Sequence, residues 1–379
     1  MIRQWLLAGA LAACVIAAGC GGSDNSSNSS DPSSSAGGTS VAVNGPFTDT
    51  ENTLSTDVMQ LLEEATAGTA LQGALVCTDD AVNHNVLDIL NSLVTGLENP
   101  STLAKTTPAQ VQSLLQELAT NLGGLLNALA GKGGCGAVTS TPVTNPLAGT
   151  PLSTLGAALL PVLQQIQEDL QASASSGNIT TIQDLAALVD ALNGALKSAL
   201  ATLPSTVTSQ PVLGGVLALL GDSVADLDTT VDAFAANNTS GFQNGVQSLL
   251  TDLLDDLLTQ VVPLTYLEDK AGKPGALTTT IKGAVSSLAA AVAVALSEGE
   301  AALQNVLNSK ALAPVLSVVN TLLPKLLNPI IAALDGLSGG TLDAVLGALN
   351  SALSALLGGS GKSCAFADIP LLSVLCGVL

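Results

Sequence analysis

Asp80, His84 and Asp88 recur at i, i+4 and i+8. An α-helix places those two carboxylates and the chain's only imidazole on one face. Such a set could bind a divalent metal, or poise the imidazole for proton transfer near neutral pH. A solvated helix face whose histidine is stabilised by neighbouring acids has the same spacing, and that is the reading adopted. Asp222, Asp226, Asp228 and Asp232, then Asp252, Asp255 and Asp256, form two further acidic groups. Calcium favours clustered oxygens, but neither group has the D-x-D-x-D-G loop closed by a glutamate. They read as polar faces of otherwise aliphatic helices.

Nucleophile patterns are missing. There is no G-x-S-x-G elbow and no H-E-x-x-H, and one histidine leaves no second imidazole to share acid–base duty. Gly361-Lys362-Ser363 ends like a phosphate loop, but Leu356 stands where the leading glycine is required. The expectation is a protein that is not an enzyme, with no metal and no cofactor.

The elements that must position these residues are built from unusual material. Of 379 residues 47% are hydrophobic, yet only 2% are aromatic and 11% charged, with a formal net charge of −20. Average domains are about a quarter charged. Hydrophobicity at this level excludes a disordered chain. The acidic balance leaves no basic face for phosphates, which excludes nucleic-acid binding. The only arginine is Arg3 and the only tryptophan Trp5. The remaining rings, Phe47, Phe234, Phe242, Tyr266 and Phe366, are too scattered for a stacking platform.

Met1–Gln4 carries one positive charge, and the apolar run Leu6–Ala18 leads into Gly19-Cys20. That run is too short to cross about 30 Å of hydrocarbon and has the layout of a secretory signal. The cysteine directly after Ala-Gly makes it resemble a bacterial lipoprotein signal peptide. The resemblance implies removal of residues 1–19 and lipidation, palmitate included, of Cys20. Residues 20–45 are then a lipidated cysteine followed by a tether of Gly, Ser, Asn and Asp, which reaches about 25–30 Å as a flexible coil. In Gram-negative lipoproteins an aspartate after the lipid cysteine favours the inner membrane. This chain has Gly21 there, which implies the outer membrane.

Cys14 leaves with the leader and Cys20 takes the lipid, so Cys77, Cys135, Cys364 and Cys376 remain. An even count in an exported chain suggests two disulfides with three connectivities. Neighbour pairing, Cys77–Cys135 and Cys364–Cys376, is the choice made, because the last two flank a short loop. Loop-closure entropy makes the bridges worth about 4 and about 3 kcal/mol.

From Phe47 onward the apolar spacing is helical. Leu54, Val58, Leu61, Leu62 and Ala65 form one stripe. Val82, Val86, Ile89, Leu90, Leu93, Val94 and Leu97 form another. Thr107-Pro108-Ala109-Gln110 reads as a capping box with proline in the first turn. Further helices are predicted near 153–173, 180–202, 212–236, 241–262, 277–297, 299–309, 314–334 and 341–357. The fold class is all-α, a multi-helix bundle or irregular array of roughly ten to twelve helices over residues 46–379. A sub-boundary is expected in the uncharged stretch 133–151. Gly283–Ser297 and Ala311–Pro324 are apolar on more than one face, which suits central helices of a bundle. Lining an apolar cavity or touching lipid is the alternative. Pro-Val-Leu at Pro161, Pro211 and Pro314, and Val-Gln-Ser-Leu-Leu at Val111 and Val246, imply different periods and do not define a repeat.

The lipobox, the Ser/Gly tether and the aliphatic stretches Leu203–Leu220 and Leu322–Ser354 together resemble the non-collagenous middle region of bacterial collagen-like surface proteins. No Gly-X-Y tract is present, so a collagen stalk is not implied. The resemblance implies surface display and a structural or adhesive role. The function expected is that of an outer-membrane-anchored structural or interaction lipoprotein, periplasmic or surface-facing. It would be held to the membrane by the lipid on Cys20 and would meet a protein partner. The alternative is a carrier for an apolar ligand such as a lipid, held between aliphatic helices.

Overall fold

The structure, a computed structural model, describes residues 43–66, 70–98, 107–132, 135, 144–176, 181–210, 212–262, 264–265, 274–275 and 278–307. The chain divides into units 1–35 and 36–379, and every described residue belongs to the second. The leader, Cys20, the predicted helices 314–334 and 341–357, and the Cys364–Cys376 pair lie outside the described residues. Among the described residues the fold is all-α, with no strand.

Three of the helices contain a π-helical turn. The first runs through α1 (Thr48–Leu54), π1 (Ser55–Met59) and α2 (Gln60–Ala65). The second runs through α3 (Ala70–Thr78), π2 (Asp79–Val86) and α4 (Leu87–Glu98). Then follow α5 (Thr107–Leu129), α6 (Ser153–Ser176), α7 (Ile182–Ala201), the short α8 (Ser205–Thr208) and α9 (Leu213–Ala235). The series continues with α10 (Thr239–Asp256), prolonged by π3 (Leu257–Val261), and ends with α11 (Thr278–Glu298) and α12 (Glu300–Leu307).

Apolar spacing dictates these elements. Leu54, Val58, Met59 and Leu62 are buried along the first helix, and Val82, Val86, Ile89, Leu90, Leu93 and Val94 along the second. Val111, Leu114, Leu115 and Leu118 bury one face of α5. α7 opens on a capping box in which Thr181 Oγ1 accepts from Asp184 N–H at 3.2 Å and Asp184 Oδ2 accepts from Thr181 N–H at 3.1 Å. Pro161 sits inside α6, whereas Val212 caps α9, so the two Pro-Val-Leu copies occupy different structural positions.

Successive helices are neighbours: α5 packs on α6, α6 on α7, α7 on α9, α9 on α10, α10 on α11 and α11 on α12. The series closes on itself where α3 and π2 touch α9 and α12 returns to α4. One hydrophobic cluster runs through all of them, from Val43 to Leu307, with Leu147 joining it from the 133–151 stretch. Cys77 of α3 and Cys135 form a disulfide with Cα atoms 5.0 Å apart, closing a 58-residue separation.

The expectation that Gly283–Ser297 is a central helix is corrected. Only 33% of the apolar window Ile281–Glu298 in α11 is buried, although it is the one stretch among the described residues long and apolar enough to span a membrane. Val285, Leu288, Ala289, Val292 and Ala295 face α10 and the core, while Ser286, Ser287, Ala290, Val294 and Ser297 face outward. Alanine raises hydropathy but has little area to bury, so an Ala/Ser face tolerates water.

Candidate functional site

His84 lies in π2, whose wide turn aligns residues five apart rather than four. To the set Asp80/His84/Asp88 the structure adds Asp79: five residues before His84, it lies beside the imidazole, with Nε2 4.0 Å from Asp79 Oδ2. The closest partner comes from α1, where Glu51 Oε1 is 2.6 Å from His84 Nδ1. Ser55, the first residue of π1, donates to Asp79 Oδ1 at 2.8 Å and lies 3.4 Å from His84 Nε2. Asn83 also donates to Asp79 Oδ1, at 2.6 Å.

Electrostatics follow from this crowding. Burial alone would lower the His84 pKa, but the Glu51 hydrogen bond and the charges of Asp79, Glu51 and Asp80 hold it up at about 9. Burial pushes Asp79 up, against the His84 charge and the Asn83 and Ser55 hydrogen bonds. Burial also raises Asp80 to about 6, opposed by His84 and assisted by Asp79 and Glu117. Asp88 rises to about 6 by burial and the Glu51 charge. Asp80 and Asp88 thus surround the imidazolium at longer range. No group of three or more His, Cys, Asp or Glu among the described residues is arranged to hold a metal ion.

Glu51, His84 and Ser55 stand in the order of an acid–base–nucleophile triad. Two features weigh against that chemistry. Glu51, Asp79 and Asp80 hold the His84 pKa up at about 9, which favours the imidazolium over the neutral base at neutral pH. The Ser55 N–H, which could serve an oxyanion, is bound to the carbonyls of Glu51 and Asn52 within the helix. The cluster is a charged cross-link between the first two helices.

A second bolt lies beside it. The buried Asn91 accepts from Phe47 N–H at 2.9 Å and donates to the Val43 carbonyl at 3.1 Å, fixing the segment that enters α1. Asn85 donates to Glu117 at 3.3 Å and accepts from Asn121 at 2.8 Å, tying π2 to α5.

The two aspartate groups of α9 and α10 meet across a helical hairpin. Asn237, at φ 54°, ends α9, with Asn238 N–H bonded back to the Ala233 carbonyl at 2.8 Å. Asn238 then caps α10 through Gly241 N–H at 3.0 Å. Phe234 and Phe242 close the hairpin with ring centroids 5.6 Å apart. Burial and the charges of Asp252 and Asp222 push Asp226 up to about 8, and burial and the charges of Asp222, Asp255 and Asp252 push Asp256 up to about 8. Asp228 faces α7 instead, where Asn193 donates to it at 2.8 Å. Asp255 pairs with Lys282 of α11 at 2.8 Å.

Sequence spacing did not reveal Glu51, Ser55, Asp79 or Asn91. Their link to His84 and to the 43–47 segment crosses between helices, and π pitch has no sequence signature in this handful of residues. Compared with protein-family models, with curated proteins and with solved structures, the chain matches none.

Proposed function

We propose that this chain is an envelope lipoprotein: a non-catalytic helical body, anchored through lipid on Cys20 and the Gly/Ser/Asn-rich segment that follows it, that serves a structural or interaction role. One observation carries the non-catalytic part. The only Ser–His–acid grouping among the described residues has its histidine held protonated and its serine N–H spent in the helix.

The carrier reading is supported by a single feature, a solvent-open groove of about 460 Å³ lined by Ala291, Val294, Ala295, Ala302 and Val306, with Glu298 as its one charged residue. Its size is near the lower end of small-molecule sites. Native purification followed by lipid extraction and mass spectrometry separates the two readings. A stoichiometric co-purifying lipid favours the carrier, and none favours the interaction protein.

The test of the main reading has two parts. Wild type should partition with the outer membrane and Cys20→Ala should not; equal partitioning of both removes the anchor. Ester and amide probes should show no turnover that Ser55→Ala abolishes. Ser55-dependent turnover would overturn the non-catalytic reading.

A further inference from the structure

Large hydrophobic side chains are kept inside this body with two exceptions. Among the described residues only Leu97 of α4, at 50%, and Val294 of α11, at 60%, are exposed. A scattered leucine or valine at the surface is ordinary. These two are not scattered: both stand on helices that pack against α12, the last described element.

Val294 also lines the solvent-open groove between α11 and α12, together with Ala295, Ala302 and Val306. Alanines at 291, 295 and 302 leave space between the two helices that a leucine at any of them would partly fill. Glu298 is the one charged residue of the lining. Such a surface is recognised by burial of aliphatic area, with one negative charge to orient what lies on it.

The sequence beyond α12 has that complementary character. Val306 is the penultimate residue of α12, so the chain leaves the helix at the edge of the groove. Residues 308–379 lie outside the described residues. In a chain of net charge −20, residues 308–334 carry Lys310 and Lys325 and no acid. Between the two lysines every residue is uncharged, and Leu316, Val319, Leu322 and Leu323 are among them. Only residues 308–310 separate this stretch from α12, and a link that short gives an effective concentration of about millimolar. Other occupants match the surface less well. An acyl chain in the groove would leave Leu97 bare, and a second copy would bring an acidic body towards Glu298.

We propose that the surface formed by α4, α12 and α11 is the docking site of the chain's own residues 311–327, which seat aliphatic side chains beside Val294 and place positive charge near Glu298. The seated segment closes the groove to lipid. The proposal does not depend on how the chain is anchored, and loss of lipid from Cys20 would leave it untouched.

Photo-crosslinking of the full-length protein tests it, with p-benzoylphenylalanine in place of Val294 in one preparation and of Leu97 in another. Both positions are exposed, so the probe disturbs no core packing. Irradiation and peptide mapping should place the main crosslink of each preparation within residues 311–327. Mixing isotope-labelled and unlabelled chains before irradiation should give crosslinked peptides of one label only. Leu316→Asp combined with Leu322→Asp should abolish the crosslink; if that variant does not fold, the mapping of the two single-probe proteins decides. Peptides of mixed label would assign the surface to a second copy, and crosslinks to co-purified lipid would assign it to a carrier. Either result, the absence of any crosslink to 311–327, or an undiminished crosslink in the folded double variant would overturn the proposal.

Discussion

His84 Nδ1 lies 2.6 Å from Glu51 Oε1, joining two helices through residues 33 apart in sequence. The imidazole remains charged to about pH 9 because Glu51 and Asp79 hold its proton. Its folded pKa exceeds the unfolded value of 6.5, so the stabilisation is complete below that pH and is lost as pH rises through about 9. With the ring 39% exposed, solvent screens part of it. His84→Gln should cost about 1–2 kcal/mol in urea unfolding at pH 6 and much less at pH 10. An equal cost at both pH values would mean that packing, not charge, is what the ring supplies.

Asn91 should be the most sensitive polar position. It is fully buried and serves two backbone groups, Phe47 N–H and the Val43 carbonyl. Asn91→Ala strands both groups and should destabilise by about 2–4 kcal/mol. Limited proteolysis should then cleave near residues 43–47 faster than in wild type. A wild-type digestion rate would show that the segment is held by something else.

Reduction of Cys77–Cys135 releases a 58-residue separation. Chain entropy sets the expected loss at about 4 kcal/mol, read as a lower unfolding midpoint in reducing buffer. Cys77→Ser should reproduce the reduced midpoint without reductant. Identical midpoints for oxidised, reduced and variant protein would remove the bridge from the account.

Gly245→Ala should separate α9 from α10, because the new methyl meets Thr230 on both its side chain and its backbone. Overpacking of this kind costs about 1–3 kcal/mol. Asn237→Gly, at a left-handed position, should instead be neutral or slightly stabilising. Paired chemical-denaturation curves for the two variants check both signs.

Helices were legible in the sequence wherever one aliphatic stripe ran on uninterrupted. The predicted 153–173, 180–202, 212–236 and 241–262 lie within a few residues of α6, α7, α9 and α10 with π3. Neighbour pairing also located Cys77–Cys135. Spacing alone was incomplete around His84, because a π turn brings Asp79, five residues earlier, beside the imidazole in addition to Asp80, four residues earlier. It failed for α11, where Ala290 and Val294 counted as core although they lie on the outer face. The meeting of Asp222 and Asp226 with Asp252 and Asp256 across the hairpin had a signal that went unused. Asn237-Asn238 marks a tight hairpin, and folding the chain there brings those numbers into register.

The central claim, a lipid-anchored body and not a free catalyst, is tested most directly by mass spectrometry of the mature N-terminal peptide. The account expects a chain that begins at Cys20 and carries the added mass of thioether-linked diacylglycerol, with or without an N-acyl group. A mature chain that begins elsewhere, or an unmodified Cys20, would contradict it.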